Sequence, residues 1–393
     1  MGMTASLLLN DTVIGAAPER LEIASIDIFP VIYPMHGRFK FFEDPAGKMQ
    51  GRASAIVRIT ASDGSFGWGE SIPIPKWSYE TLESVTSTLR NYLRPVLIGE
   101  NIFDLAGIEK IMNKNIAASF SPGQPIAKAG IDIALHDLIG RKLNKSLAAF
   151  WQKNPVDKIE LSWTLNPKNL DDIEDLIEKG WQQGYRHFNV KVAPDPVFDL
   201  ALCREVKERV PDGFLWADAN GGYDLKTALE TAPKLADAGV DVLEQPLPAN
   251  QISGYQALKK QGALPILMDE GIVSPQTLKE FIRLDMLDGV AMKPARCGGL
   301  LSAKKQIELI QENNLMFLAS GLTDPDISLA ASLALFGAFD YRMPAALNGP
   351  QFISASVLTV PLRPVDGSLL IPHGPGLGIE VDENKIRNLQ SEI

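Results

Sequence analysis

From about residue 157 to residue 347 the chain alternates between short apolar runs and amphipathic stretches. Eight runs read as strands: Ile159–Thr164, His187–Val192, Phe214–Ala219, Val240–Leu247, Pro265–Glu270, Gly289–Ala295, Leu315–Ser320 and Tyr341–Leu347. The stretches between them carry helical spacing. In Asp172–Gln183, Ile173, Leu176, Ile177 and Trp181 mark one buried face, and Leu301–Asn313 shows a looser stripe. Gly184, Gly239 and Gly262 stand where such helices end, as left-handed caps. Eight alternations predict the α/β class, with a closed (β/α)7β- or (β/α)8-type TIM barrel over residues 151–360.

Residues 21–150 follow a different pattern. Leu21–Val31 and Arg52–Thr60 alternate like strands, and Tyr79–Leu97 and Pro125–Leu143 read as helices, so an α+β capping domain is expected there. Between the two strands, Ile32–Gly51 is a long irregular segment rich in Phe, Gly and Pro, the kind of loop that often carries function. Residues 1–20 read as a flexible tail. Residues 361–393 run past the last strand and are expected to pack back on the capping domain.

Composition narrows the function. With 393 residues, 45% of them hydrophobic, the chain can bury a large core, and its net charge of −10 disfavours nucleic acid as a partner. The longest apolar stretch, Ile327–Phe339, is too short to span a bilayer, so a soluble protein with a small-molecule partner is expected. Only Cys203 and Cys297 occur, far apart, which suits a reducing, cytoplasmic setting. A homo-oligomer is expected.

One charged residue falls at the end of each of five successive strand-like runs: Lys191, Asp218, Glu244, Asp269 and Lys293, spaced 27, 26, 25 and 24 residues apart. That interval is one strand plus one returning helix, so all five reach the same end of the barrel. A carboxylate ending an apolar strand is costly unless compensated, and three together repel one another unless a cation lies between them. Hard oxygen donors without His or Cys suit Mg2+, with Mn2+ as the alternative. A lone acid at a strand end is more often a helix cap; three in register with flanking lysines favour a metal site. Asn220 shares the side of Asp218 by strand alternation and can orient it or a substrate. Asp269 and Glu270 are adjacent and point to opposite sides by alternation; the regular spacing favours Asp269 as ligand. Buried in apolar runs, Lys191 and Lys293 lose hydration and become candidate acid/base groups on two faces of a central substrate. The bland alternative is that each pairs with a carboxylate for structure.

The walls of the site are less legible. Tyr33, His36, Arg38 and Phe41 in the irregular loop, and Lys76, Trp77 and Tyr79 after it, are candidates for substrate contact, with Arg38 and Lys76 suited to a second anionic group. Aromatic residues there are equally suited to domain packing. Ser320 ends the seventh run but lacks an evident His partner for a nucleophilic triad. Gly298–Gly299 follows a strand and can bring backbone N–H groups to an anion.

These residues carry a resemblance. Trp68–Pro73 (WGESIP), Asn189–Lys191 (NVK), Asp218–Asn220 (DAN), Leu243–Leu247 (LEQPL), Met268–Glu270 (MDE), Lys293–Leu300 (KPARCGGL) and Gly374–Gly378 (GPGLG), in that order, resemble the muconate lactonizing enzyme-like branch of the enolase superfamily. The similarity runs through nearly the whole chain from residue 21. It implies that Asp218, Glu244 and Asp269 bind Mg2+ and that Lys191 and Lys293 are the acid/base pair. The His that the mandelate racemase-like branch places on the seventh strand is missing from Leu315–Ser320 (LMFLAS). The chain departs from the family at Asn189, where a second lysine is usual, and it lacks the Asp-x-Asp that dipeptide epimerases carry near the eighth strand, reading Leu347-Asn348-Gly349 instead.

The resemblance further implies removal of the proton α to a substrate carboxylate, through a metal-stabilised enediolate. Opposed lysines favour an isomerase, either a racemase/epimerase or a muconate-type cycloisomerase. The alternative enzyme is a dehydratase acting on an acid sugar or of the o-succinylbenzoate synthase type. Asn189 motivates a third reading, a metal-binding barrel without turnover.

Overall fold

The computed structural model describes residues 20–392, so most of the expected tail lies outside the described residues. Three antiparallel strands open the fold: β1 (Ile23–Tyr33), β2 (Arg52–Ala61) and β3 (Phe66–Ser71), in the order β1-β2-β3. The helix Pro125–Lys142 lies on β3. Their contact is close because glycines face each other: a Cβ on Gly69 would sit 2.0 Å from the Gly130 carbonyl oxygen. The helical stretch expected from Tyr79 begins at Leu82 instead, because Thr81 and Ser84 form a capping box while Tyr79 is left-handed at φ 55°.

The second part holds β4 (Lys158–Glu160), β5 (Ser162–Leu165), β6 (His187–Lys191), β7 (Leu215–Asp218), β8 (Val242–Glu244), β9 (Ile266–Met268), β10 (Gly289–Met292) and β11 (Met316–Ala319). Strands β5 to β11 pair in parallel and in sequence order, each followed by a helix. Helices end where expected at Gly184, Gly239 and Gly262, with φ of 86°, 84° and 64°.

The eighth expected strand shrinks to two residues. Ala345 bridges Leu161 and Ala346 bridges Ser320, both in the parallel sense, and these bridges close the seven-stranded sheet into a barrel. The reason is local: Pro344 has no N–H to give a ladder, and the Gly349–Phe352 turn of helix follows almost at once. A final strand, β12 (Ser368–Leu370), pairs antiparallel with β4.

Carboxylates of the capping part dock onto the N-termini of two barrel helices. Glu70 accepts from the Ile327 and Ser328 amides at 3.1 and 3.0 Å, heading the helix Asp326–Ala338. Its other oxygen accepts from the Tyr33 and Ser54 hydroxyls. Burial pushes the Glu70 carboxyl up to about 7, against these hydrogen bonds. Asp132 accepts from the Leu300 amide at 2.5 Å, heading Leu300–Glu312. The helix start after Gly298–Gly299 is therefore taken by a protein carboxylate rather than presented to an external anion. The C-terminal segment touches the first sheet through Arg58–Glu383 at 2.9 Å and a bridge from Val31 to Gln390. Among the described residues, no helix is long and apolar enough to cross a membrane.

Candidate active site

Trp216, Val242, Leu267, Ala291, Leu318 and Ala346 form an apolar layer inside the barrel. Two residues further along each segment come Asp218, Glu244, Asp269, Lys293, Ser320 and Asn348. Strand period therefore lifts a polar layer onto an apolar floor at the C-terminal mouth. Lys191 joins this layer, because its Cα partner on β7 is Asp218, and Asp218 in turn pairs with Glu244. Strands β6 and β10 lie four positions apart in the ring, so their lysines approach from opposite sides.

All five residues are buried, the three acids at 1% exposure and Lys191 and Lys293 at 7% and 3%. The Lys191 ammonium lies 2.5 Å from Asp218 Oδ2. The Lys293 ammonium bridges Glu244 and Asp269, at 3.1 and 2.8 Å. Arg296 adds a second cation to Asp269 at 3.2 Å and donates to the Trp77 carbonyl. Gln245 fixes the Asp269 backbone by accepting from the amides of Asp269 and Gly271.

Electrostatics follow from this crowding. Burial, then the charges of Asp218 and Asp269, holds Glu244 well above the usual carboxylate range despite Lys293. Burial also opposes ionisation of Asp218, but Lys191 and Lys293 outweigh it and hold that acid below its ordinary value. Burial opposes the charge on Lys293, and Asp269 and Glu244 overcome it and raise the pKa.

Asn220 and Glu270 reach the mouth by turns rather than by alternation. Strand β7 ends at Asp218, and Asn220 is left-handed at φ 47°, which folds its amide N–H and its Nδ2 back onto the Asp218 carboxylate at 2.9 and 3.1 Å. Strand β9 ends at Met268, so the expected opposition of Asp269 and Glu270 is lost. Both face the mouth on different partners, Glu270 accepting from Trp77 Nε1 at 2.7 Å and from Asn220 Nδ2 at 3.2 Å. Burial and Asp269 push Glu270 up to about 7.

Aromatic rings roof the cluster. The Trp77 ring lies 5.3 Å from each lysine ammonium and 5.5 Å from the Arg296 guanidinium, a cation–π arrangement. Phe41 stacks on Trp77 at 4.5 Å, and Phe39, 5.7 Å from the Lys191 ammonium, stacks on Phe352 at 4.9 Å.

Other sequence-expected residues are placed unevenly. Ser320 is buried in the polar layer. Tyr33 is fully buried at the joint between the two parts, held on Glu70, and does not line the mouth. His36 is exposed and borders a groove of about 500 Å³ with Trp163, Lys168 and Gln351. Arg38 forks onto Glu43 at 2.8 and 3.1 Å and gives its third nitrogen to Asn166, while the Lys76 ammonium bonds the Glu43 carbonyl. Both are occupied, contrary to their expected readiness for a substrate anion. Asn189 is buried beside Thr164 in register, and among the described residues its Nδ2 finds no hydrogen-bond partner. The sequence reading passed over Arg296, Gln245 and Phe39. Arg296 follows Lys293 by three residues and Gln245 follows Glu244 directly, which were the available signals.

The donor set fits a hard divalent cation. Three buried carboxylates stand at the ends of adjacent strands, and among the described residues Asp269 Oδ1 accepts no aligned hydrogen bond, having only the Arg296 guanidinium at 3.2 Å. As the side chains stand, ammonium groups hold those oxygens, and among the described residues no three acid, His or Cys groups are gathered in a metal-gripping cluster.

Comparison with known proteins identifies the family. The model of the enolase C-terminal domain-like family matches residues 172–385, and that of the mandelate racemase/muconate lactonizing enzyme N-terminal domain matches residues 42–150. A chloromuconate cycloisomerase of Cupriavidus necator is 31% identical over 340 residues, spanning 85% of this chain and 90% of its own. An N-succinyl-L-Arg/Lys racemase of Bacillus cereus is 26% identical over 379 residues, spanning 94% and 98%. The crystal structure of a muconate lactonizing enzyme from Klebsiella pneumoniae superposes with a TM-score of 0.85 at 26% identity, covering 94% of this chain and 99% of that one. The chain belongs to the mandelate racemase/muconate lactonizing enzyme family of the enolase superfamily.

Proposed function

We propose that this protein is a Mg2+-dependent isomerase that removes the proton α to a substrate carboxylate, acting as a racemase/epimerase or as a muconate-type cycloisomerase. Asp218, Glu244 and Asp269 would hold the ion, and Mn2+ would serve in its place. The bound ion supplies the positive charge that a carboxylate needs when its α-carbon is deprotonated.

Lys191 and Lys293 are the acid/base pair. In the structure Glu244 and Asp269 keep Lys293 protonated. With their charge taken up, burial alone acts on the ammonium and moves its pKa down, toward the neutral amine that a base requires. A lysine on the opposite side can then return a proton to the other face, or stand beside the α-carbon as a conjugate acid while an internal bond forms or breaks. Arg296 and Gln245 keep Asp269 in place, and the rings of Phe39, Phe41 and Trp77 exclude water from both amines.

The observation that carries this reading is the pair of buried ammonium groups on opposite strands, flanking three carboxylates beneath one indole ring. The relatives support it, since one is named for chloromuconate cycloisomerisation and another for racemisation of N-succinylated arginine and lysine. The test is incubation of the Mg2+-loaded protein with cis,cis-muconate, chloromuconates, N-succinyl-L-amino acids and acid sugars, followed by absorbance, polarimetry and NMR. Lactone formation or loss of optical rotation supports an isomerase. A dehydrated product alone would make it a lyase, and an unchanged panel would support the binder.

A further inference from the structure

Among the described residues Trp77 carries the one ring within cation–π range of both lysine ammonium groups, 5.3 Å from each, whereas Phe39 reaches only Lys191. The position of this indole therefore sets how dry both amines are. Trp77 sits in a single helical turn, Pro75–Ser78, which ends at the left-handed Tyr79. So short a helix has little stability of its own, and the ring has to be fixed from outside.

Packing does only part of this. Phe41 stacks on the indole at 4.5 Å with the planes 6° apart, and Phe39 meets it edge-on at 6.1 Å. Stacking chooses the plane of a ring but leaves it free to turn within that plane. A cavity of about 270 Å³, lined by Trp77 together with Tyr79, Asn220, Glu270 and Arg296, gives the ring room to swing away.

Two hydrogen bonds from the barrel supply the missing constraint. Arg296 donates to the Trp77 carbonyl at 2.9 Å and holds the backbone. Glu270 Oε1 accepts from Trp77 Nε1 at 2.7 Å and holds the side chain. The same oxygen accepts from Asn220 Nδ2 at 3.2 Å, and that nitrogen also bonds Asp218. Glu270 Oε2 is buried and, among the described residues, accepts no hydrogen bond. A carboxylate buried with one oxygen unsatisfied costs stability, so its presence calls for a role other than stabilising the fold.

We propose that Glu270 is a positioning residue: by holding the indole N–H of Trp77 it pins the roof over Lys191 and Lys293, and it acts through Trp77 rather than on a substrate. This rests on the reading of the two lysines as the acid/base pair and adds the part that keeps them dry.

The test acetylates the Mg2+-loaded protein with acetic anhydride at fixed pH and follows each lysine by peptide mass spectrometry. Losing one hydrogen bond to a charged group shifts an equilibrium by roughly 10- to 100-fold, so Glu270→Ala should speed labelling of Lys191 and Lys293 by about that factor. Glu270→Gln keeps an acceptor for the indole and should restore slow labelling. In a Trp77→Phe background, where the N–H is already gone, Glu270→Ala should add little. Lys128, buried in the capping part on Asn113 and two backbone carbonyls, should label at the wild-type rate throughout. Wild-type labelling of both catalytic lysines in Glu270→Ala overturns the proposal, as does a Glu270→Gln variant that labels like Glu270→Ala. An undiminished effect in the Trp77→Phe background also overturns it, because Glu270 would then act through Asp269 or Asp218. Faster labelling of Lys128 in step with the other two would mark general loosening and overturn it as well. None of these readouts needs turnover. A wild type without hydrogen exchange at any α-carbon would remove the acid/base reading, while the labelling would still decide whether Glu270 holds Trp77.

Discussion

Replacing Lys293 with Met keeps the length of the side chain and removes its charge. Glu244 then loses its 3.1 Å partner, while Asp269 keeps Arg296 at 3.2 Å. Breaking a buried ion pair on one side typically costs about 3–5 kcal/mol, because the remaining charge is left uncompensated. For a chain of this size that corresponds to a fall in melting temperature of roughly 4–6 °C. Glu244 can relieve the penalty by holding a proton, and its pKa is already raised by burial. The cost should therefore be small near pH 5 and grow as pH rises, since the unfolded carboxylate ionises while the folded one resists. Mg2+ should rescue the variant, because a ligand at about 100 times its Kd adds about 2.7 kcal/mol. The gain should exceed that of wild type, where the Lys293 ammonium competes for the same oxygens. Urea denaturation in EDTA and in Mg2+, at pH 5 and pH 8, measures all of this. A variant as stable as wild type in EDTA at pH 8, with no larger gain from Mg2+, would refute the compensating role of Lys293.

Three further outcomes follow from the same structure. Glu244→Gln should weaken Mn2+ binding by about 100-fold or more, since even outer partners of a metal site contribute about 10- to 100-fold; an unchanged calorimetric titration would argue for a purely structural acid. Glu70, raised to about 7 by burial, holds a proton in the folded state that the unfolded chain releases near 4.5. It should therefore lower stability by about 3 kcal/mol as pH rises from 4.5 to 7, a slope that Glu70→Gln removes in denaturation curves across that window. Gly69→Ala places a methyl 2.0 Å from a backbone oxygen of the packed helix and should destabilise the protein by about 3 kcal/mol; a urea midpoint equal to wild type would mean that helix and sheet can separate freely.

Much of the candidate site was legible because each of five successive barrel units delivers one charged residue to one rim. Asp218, Glu244, Asp269, Lys191 and Lys293 stand out as charges ending apolar strands, and strand period places them in one layer. What stayed hidden depends on contacts between distant segments. Lys40 meets Asn166 across 126 positions and Arg296 meets Trp77 across 219, and no local pattern encodes either. Arg38 looked free in sequence because its partner Glu43 lies in the same irregular loop, where no periodicity shows which side chains meet. The eighth strand was over-read from its apolar residues alone, although Pro344 within it lacks the donor that a ladder needs. Asn220 reached Asp218 for a different reason from the expected one, a left-handed residue just beyond the strand end.

The most direct test of the central claim is hydrogen exchange at carbon. The Mg2+-loaded protein is incubated in D2O with carboxylic acids bearing an α-hydrogen, and deuterium incorporation at that carbon is followed by NMR. The account predicts exchange in wild type, none in the Lys191→Ala/Lys293→Ala double variant, and a folded double variant by circular dichroism. Exchange at the wild-type rate in the double variant would contradict it.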